Sequence, residues 1–305
     1  MVVFLGESLI DLVSNSEKIY IPHVGGSVLN SAIAFGRLTG DSFYMGGVSS
    51  DEYGKLISNT LSDSSVKSDF FIKTDRPTTL AYVDLDSEGV AKYRFEDEAS
   101  AGRLISKEEL KPFLEDIKKM DALLVGGISL QSEPCGTSLE WVTECLYKET
   151  SIYYDPNIRP SFIKDKKLYL ERYQRIISRS MFLKLSEEDS DYIYSEKNLD
   201  KKVDEIFLSG VKVILHTIGK KGVRVYMDSG DTFTASVQPT KVIDTIGAGD
   251  SFNAGFLYYL DSKKQLQNKN LDKRAIQDAV EFANKVARFT VSQKGANPPR
   301  LDQIN

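Results

Sequence analysis

The 305-residue chain is poor in the side chains that most often announce chemistry, with two cysteines, two histidines and one tryptophan. Cys135 and Cys145 have no metal-ligand spacing, and two thiols in so long a chain make no disulfide framework, which fits a reducing, cytoplasmic setting. His23 and His216 allow neither a zinc set nor a Ser-His-Asp set; His216, at the end of a strand candidate, reads as a core or supporting residue rather than a ligand. No window approaches the roughly 20 apolar residues of a membrane span. The start, "MVVFLGESLIDL", has no basic leader followed by a long apolar stretch, so the expectation is a cytosolic, unprocessed chain. Charge of one sign is missing too: 39 basic against 44 acidic residues, without a long single-sign block, call for neither nucleic acid nor an anionic membrane. Small molecules are the expected partners. There is no G-x-x-x-x-G-K-[ST], and the first strand candidate is followed by a single Gly6 rather than G-x-G-x-x-G, which argues against a P-loop enzyme and a dinucleotide oxidoreductase.

What is present is ordinary globular material, 41% hydrophobic and 27% charged, without repeats, proline-rich linkers or low-complexity tracts. Short β-rich runs at 2–5, 43–47, 122–126, 152–154, 181–185, 211–216 and 223–227 alternate with amphipathic segments at 27–38, 51–61, 106–118, 168–177, 249–260 and 272–292. This alternation predicts a parallel sheet covered by helices on both faces. In the last segment Ala275, Ala279, Phe282, Val286 and Phe289 recur at helical spacing and are expected in the core. Two stretches break the pattern: residues 12–23, and the pair "TTLAYVDLD" and "GVAKYRFED", which reads as a hairpin turning near Ser87, Glu88 and Gly89. These insertions, about 11–23 and 73–98, are expected to form a small β lid over a site.

Two motifs carry chemistry. In "DTIGAGDSFNAGFL", Gly247, Ala248 and Gly249 lead into a helix, so their N–H groups and the positive end of the helix converge on an anion site. Asp250 either caps that helix or acts as a base beside the anion site, accepting the proton of an attacking hydroxyl. In "GGSVLNSAIAFGRLTG", Gly25 and Gly26 precede a helix with Asn30 one turn on, a face suited to polyol hydroxyls.

Both motifs, in this order and at these ends of the chain, resemble the signatures of the PfkB, or ribokinase-like, carbohydrate kinases. "GESLIDL", "DPNIRP", "HTIGKKG" and "FANKVARFTV" extend the resemblance over essentially the whole length. It implies one kinase domain over 1–305, with a three-layer α/β/α Rossmann-like core and the β lid. It also implies that Asp250 is the catalytic base with Gly247, Ala248 and Gly249 as the anion hole, and that Asp11, Gly25, Gly26 and Asn30 hold sugar hydroxyls. Arg159 would face the transferring phosphate, or simply belong to a proline-bounded turn. Ser186, Thr217, Gly219, Gly222 and Asn284 would line ATP, and a monovalent cation, K+, would lie near Asp244. Relatives often dimerise through the lid, which implies a homodimer.

Two departures qualify the resemblance. Where many members have N-x-x-E for hydrated Mg2+, this chain has Ser186 and Asp189 in "KLSEEDS". That pair can still hold water around Mg2+, and it equally reads as a helix N-cap with an acid in the first turn. Asp97 stands where several fructokinases and ketodeoxygluconate kinases carry arginine, which favours a neutral sugar over a sugar acid. The expectation is transfer of the ATP γ-phosphoryl group to a primary hydroxyl, with D-fructose giving fructose 6-phosphate. Kinases for 2-keto-3-deoxygluconate, ribose or a nucleoside, and a non-catalytic sugar or nucleotide sensor, stand as alternatives.

Overall fold

The computed structural model describes residues 1–14, 19–85, 91–195, 199–268 and 270–304. Fourteen strands are assigned among them: β1 Val2–Leu5, β2 Leu9–Ser14, β3 Tyr20–Gly25, β4 Ser42–Ser49, β5 Val66–Lys67, β6 Phe71–Thr74, β7 Thr79–Leu85, β8 Ala91–Glu96, β9 Ala122–Gly126, β10 Ser151–Asp155, β11 Phe182–Ser186, β12 Val213–Thr217, β13 Val223–Met227 and β14 Thr232–Ala235. The helices are α1 Ser27–Thr39, α2 Glu52–Asp63, α3 Lys107–Leu110, α4 Leu114–Ile117, α5 Cys135–Leu146, α6 Lys166–Ile177, α7 Glu187–Tyr194, α8 Val203–Ser209, α9 Ala248–Ser262 and α10 Lys273–Val291.

Unbroken apolar strands need cover on both faces, and they receive it. In β1, Val2 and Phe4 point into one core with α1, α9 and α10, whereas Val3 and Leu5 point into a second core with α4, α5 and α6. The result is the expected three-layer α/β/α sandwich around a ten-stranded sheet of order β14-β13-β12-β11-β10-β9-β1-β4-β5, with β6 also pairing β4. Neighbours from β12 through β5 run parallel, and β13 alone reverses, pairing antiparallel with both β12 and β14. The carboxyl ends of β1, β9, β10, β11 and β12 therefore share one rim, where open α/β sheets bind ligands.

A separate four-stranded sheet, β3-β2-β7-β8, pairs β2 with β7 in parallel and its outer strands antiparallel. The strands of the expected hairpin pair from Leu80 opposite Glu96 to Leu85 opposite Ala91; its turn at Ser87, Glu88 and Gly89 lies outside the described residues. Residues 73 and 74, assigned by sequence to the insertion, belong instead to β6 of the main sheet.

Two helical expectations are corrected. The single helix at 106–118 is broken into α3, a 3-10 turn at Lys111–Phe113 and α4, because Pro112 has no N–H to continue the ladder. In α10 the buried stripe is Ile276, Ala279, Val280, Ala283 and Val286, while Ala275, Phe282 and Phe289 are only half-buried. The packed face is rotated because Gly255 of α9 lets the backbone close on α10: a Cβ there would lie 2.8 Å from Cα of Ala283.

Candidate active site

The turn entering α9 is built around Gly247. It has φ 76°, and a Cβ there would sit 2.7 Å from the Ala296 Cβ, so both conformation and space demand glycine. Ala248, Gly249 and Asp250 follow as the first turn, whose N–H groups have no partner within the helix. The Ala248 N–H makes a long 3.3 Å bond to the Thr245 carbonyl.

Asp250 is buried, and its Oδ2 accepts a 3.0 Å hydrogen bond from Asn30 Nδ2. Two motifs 220 residues apart thus meet at one contact. Burial raises the Asp250 carboxyl to about 7; the Asp155 and Glu7 charges add to the rise, and the Asn30 bond and Lys184 oppose it. A carboxylate poised there can exchange a proton near neutral pH.

Asn30 is aimed by the start of α1. Gly26 precedes the helix with φ 109°, and its carbonyl accepts from the Asn30 N–H at 2.8 Å. A Cβ on Gly25 would lie 2.2 Å from Asp11 Oδ2, so the Asp11 carboxylate covers the bare backbone of Gly25. Burial pushes Asp11 up to about 6. Asp11, Gly25, Gly26, Asn30 and Asp250 therefore form one continuous polar wall.

Further along the same rim, Thr217 ends β12 opposite Ser186 and Val223. Gly219 and Gly222 take φ 54° and 103° in the turn that follows, and a Cβ on Gly222 would strike the Ala235 carbonyl oxygen at 2.1 Å. That same oxygen accepts from Asn284 Nδ2 at 3.5 Å. Beside it, Thr234, Ala235, Asn284, Lys285 and Arg288 line a cavity of about 460 Å3. Gly222 and Asn284 thus meet at the Ala235 carbonyl.

Other expected residues bond to the protein itself. Arg159 is exposed, and its Nη1 donates to its neighbour's carbonyl, Ile158 O, at 2.9 Å. Ser186 and Asp189 form a capping box: Asp189 Oδ2 accepts from the Ser186 N–H at 2.9 Å and its hydroxyl at 2.7 Å, while Oδ1 accepts from the Ile158 N–H at 2.7 Å. Among the described residues no group of three His, Cys, Asp or Glu side chains is arranged to hold a metal. Asp244 ties two loops together, accepting from the Ile246 and Gly295 N–H groups at 3.0 Å each. Asp97 is not a free acid; it pairs with Arg103 at 2.5 Å.

Sequence reasoning missed three buried participants. Glu7 accepts from the Ser27 N–H and hydroxyl at 3.0 and 2.8 Å and from the Ser129 hydroxyl at 3.1 Å, fastening the start of α1 to the segment after β9. Its signal was an acid inside the apolar opening run. The Lys184–Asp155 pair, at 2.7 Å, lies behind the α9 turn; Asp155 is the acid of "DPNIRP".

A glycine turn at a helix N-terminus, a buried carboxylate in the same turn and an adjoining polar wall are the parts that phosphoryl transfer to a small hydroxyl substrate requires. Comparison with known proteins agrees. The signature of the pfkB family of carbohydrate kinases matches residues 1–303, and the chain belongs to that family. It is 35% identical over 288 residues to a fructokinase of Rhizobium leguminosarum bv. trifolii, covering 92% of this chain and 87% of that one. The structure of a Xylella fastidiosa fructokinase with bound ATP superposes with a TM-score of 0.91 at 22% identity over 99% of this chain and 96% of that one, a likeness of fold. A Vibrio cholerae O395 fructokinase with fructose, ADP and calcium ion bound superposes with a TM-score of 0.83 at 26% identity, covering 97% and 94%.

Proposed function

We propose that this protein is an ATP-dependent fructokinase that converts D-fructose and ATP to fructose 6-phosphate and ADP. The observation that carries this reading is the Asn30–Asp250 hydrogen bond, which unites the sugar-side helix with the phosphate turn. The fructokinase relative at 35% identity supports fructose as the sugar. So does the Asp97–Arg103 pair: Asp97 neutralises the Arg103 guanidinium, which also donates to the Glu133 carbonyl at 2.6 Å, so no net positive charge is left there to attract a sugar acid.

In this mechanism Asp11, Gly25, Gly26 and Asn30 orient the sugar, while Thr217, Gly219, Gly222 and Asn284 border the nucleotide. Asp250, as its carboxylate, takes the proton from the sugar hydroxyl as the oxygen–phosphorus bond forms and the bond to the leaving β-phosphate oxygen breaks. The N–H groups at Gly247, Ala248 and Gly249 hold the charge on the transferring group, and excluding water strengthens each of these interactions. Arg159 would face the transferring phosphate from the exposed loop after β10, giving up the bond of its Nη1 to the Ile158 carbonyl.

A divalent metal, Mg2+, accompanies ATP in this reading and supplies charge neutralisation on the phosphates. Asp189 would hold it only through a water at the one acceptor site left on Oδ1, because the Ser186 N–H and hydroxyl and the Ile158 N–H take the other three. Potassium near Asp244 would be held by the loops that this carboxylate ties together. No helix among the described residues is long and apolar enough to cross a membrane. With two free cysteines, the cytoplasm is the compartment we assign. We also assign a homodimer through the four-stranded sheet.

The test is ADP release by the purified protein with Mg2+-ATP and fructose, 2-keto-3-deoxygluconate, ribose or adenosine. Fructose-dependent release is expected, reduced by about 10²- to 10⁴-fold in Asp250→Asn. Release with another acceptor alone would replace fructose. Silence across the panel would overturn fructose as the acceptor, and a fully active Asp250→Asn would remove the base.

A further inference from the structure

Behind the first turn of α9 lies a buried polar array that the reaction above does not use. Lys184 of β11 and Asp155 at the end of β10 pair at 2.7 Å, with side chains 6% and 4% exposed. Asp155 Oδ2 also accepts from Asn253 Nδ2 at 2.7 Å, and Asn253 Oδ1 accepts from the Tyr153 hydroxyl at 2.9 Å. The other oxygen of Asp155 is buried without a hydrogen-bond partner. The Lys184 ammonium lies against Gly249: a Cβ built on that glycine would be 3.4 Å from Nζ.

Burying an ion pair is costly, and an apolar pair of the same shape commonly stabilises a fold as well or better. Its position therefore asks for a reason other than stability. Inside the protein, where charges are weakly screened, a cation behind the phosphate turn adds to the field of the turn's amides. The charged groups acting on Asp250 come from three places: Asp155 on β10, Lys184 on β11 and Glu7 after β1. Helix α1 contributes the neutral Asn30, and α10 faces the same turn with Thr290, whose hydroxyl donates to Ser251 at 2.7 Å. Lys184 is the one cation acting on Asp250 among these described groups.

We infer that Lys184, clamped by Asp155 and braced through Asn253, is a positioning residue that holds positive charge against the phosphate turn and fixes the charge state in which Asp250 enters the reaction. Burial alone would pull the Lys184 ammonium down, but Asp155, Asp189 and Asp250 together keep it raised and charged. The inference rests on Asp250 being the base of the kinase reaction.

The test is the pH dependence of kcat/KM for fructose in the intact enzyme, with Lys184→Met, Asp155→Asn and the double variant beside the native protein and Asp250→Asn. Removing the cation should move the acidic limb to higher pH, and removing the neighbouring anion should move it to lower pH, each by on the order of one unit. A merely structural pair would lower turnover in both variants without opposite shifts, and that result overturns the inference. If a single variant fails to fold for want of its partner, the double variant removes both charges at conserved shape. It should return the limb close to its native position with turnover still reduced; a limb displaced as far as in Lys184→Met would count against the pair. A fully active Asp250→Asn would overturn the base assignment and this inference together. An inactive Asp250→Asn with an unmoved limb in the other variants would overturn the inference alone.

Discussion

A carboxylate is an awkward side chain to bury, and the cost of doing so at Asp250 can be measured. Its carboxyl is raised from an ordinary 3.8 to about 7, with burial the largest cause. Between these values the folded chain keeps a proton that the unfolded chain has lost, so the contribution of Asp250 to stability is most favourable below about pH 4 and declines as pH rises towards 7. Asparagine cannot ionise and still accepts from Asn30. Asp250→Asn should therefore be more stable than the native protein above pH 7, by roughly 4 kcal/mol at the ceiling, with the gap closing towards pH 4. Thermal unfolding without ligands across that range checks this; equal midpoints at alkaline pH would show that the charged carboxylate is well solvated. The variant would then be stabler and nearly inactive, the exchange expected where function strains the fold. The glycines and the acid of this turn were legible in the sequence because they are contiguous. Lys184 and Asp155 were not, because their pairing is made by adjacent parallel strands 29 residues apart in the chain.

The elements around the site show where local pattern suffices and where packing decides. β1, β9 and β13 lie where their apolar runs placed them, since a strand buried on both faces has few other ways to satisfy its backbone. Helix α10 was legible as a helix but not in its rotation, because Gly255 on another helix sets which residues it buries. Helix α5 escaped notice altogether: it begins at Cys135 after Pro134 with no side-chain cap, so nothing local marks its start. Helix α7 is the reverse case. Ser186 and Asp189 admitted two roles, and the geometry favours the cap, in which Asp189 also satisfies the buried Ile158 N–H from the "DPNIRP" segment. Asp189→Ala should cost about 2–4 kcal/mol, from the lost cap and the orphaned N–H together. The Mg2+ concentration giving half-maximal activity should stay as in the native enzyme. Denaturant unfolding and a Mg2+ titration separate the roles; a tenfold rise in the Mg2+ requirement with unchanged stability would return Asp189 to the metal.

The proposed dimer draws on the exposed edge of the four-stranded sheet. The four-stranded sheet ends in β3, where Tyr20, Ile21, Pro22 and His23 are all exposed. Ile21 is 45% exposed, and Ile19, just before the strand, is 56% exposed. An edge that carries apolar side chains invites pairing, whereas a protected edge carries charge. Pro22 cannot donate a ladder hydrogen bond, so the partner is better met by side-chain packing than by a continuous strand. A second copy of the same sheet would offer the matching apolar surface and close as a two-fold pair. The fold legible in the sequence included this sheet as a pair of insertions, but not its partner, because exposure becomes visible only after the chain is folded. Light scattering at micromolar concentration should give twice the 34.1 kDa chain mass for the native protein. Ile21→Lys should give the single-chain mass, since it puts a charge where the apolar edge is to be buried. A native protein at 34.1 kDa would leave the sheet a monomer's own surface. A dimer indifferent to Ile21→Lys would place the contact elsewhere. If the variant is monomeric and its KM for fructose also rises, the partner sheet would be holding this one over the sugar wall of Asp11 and Asn30.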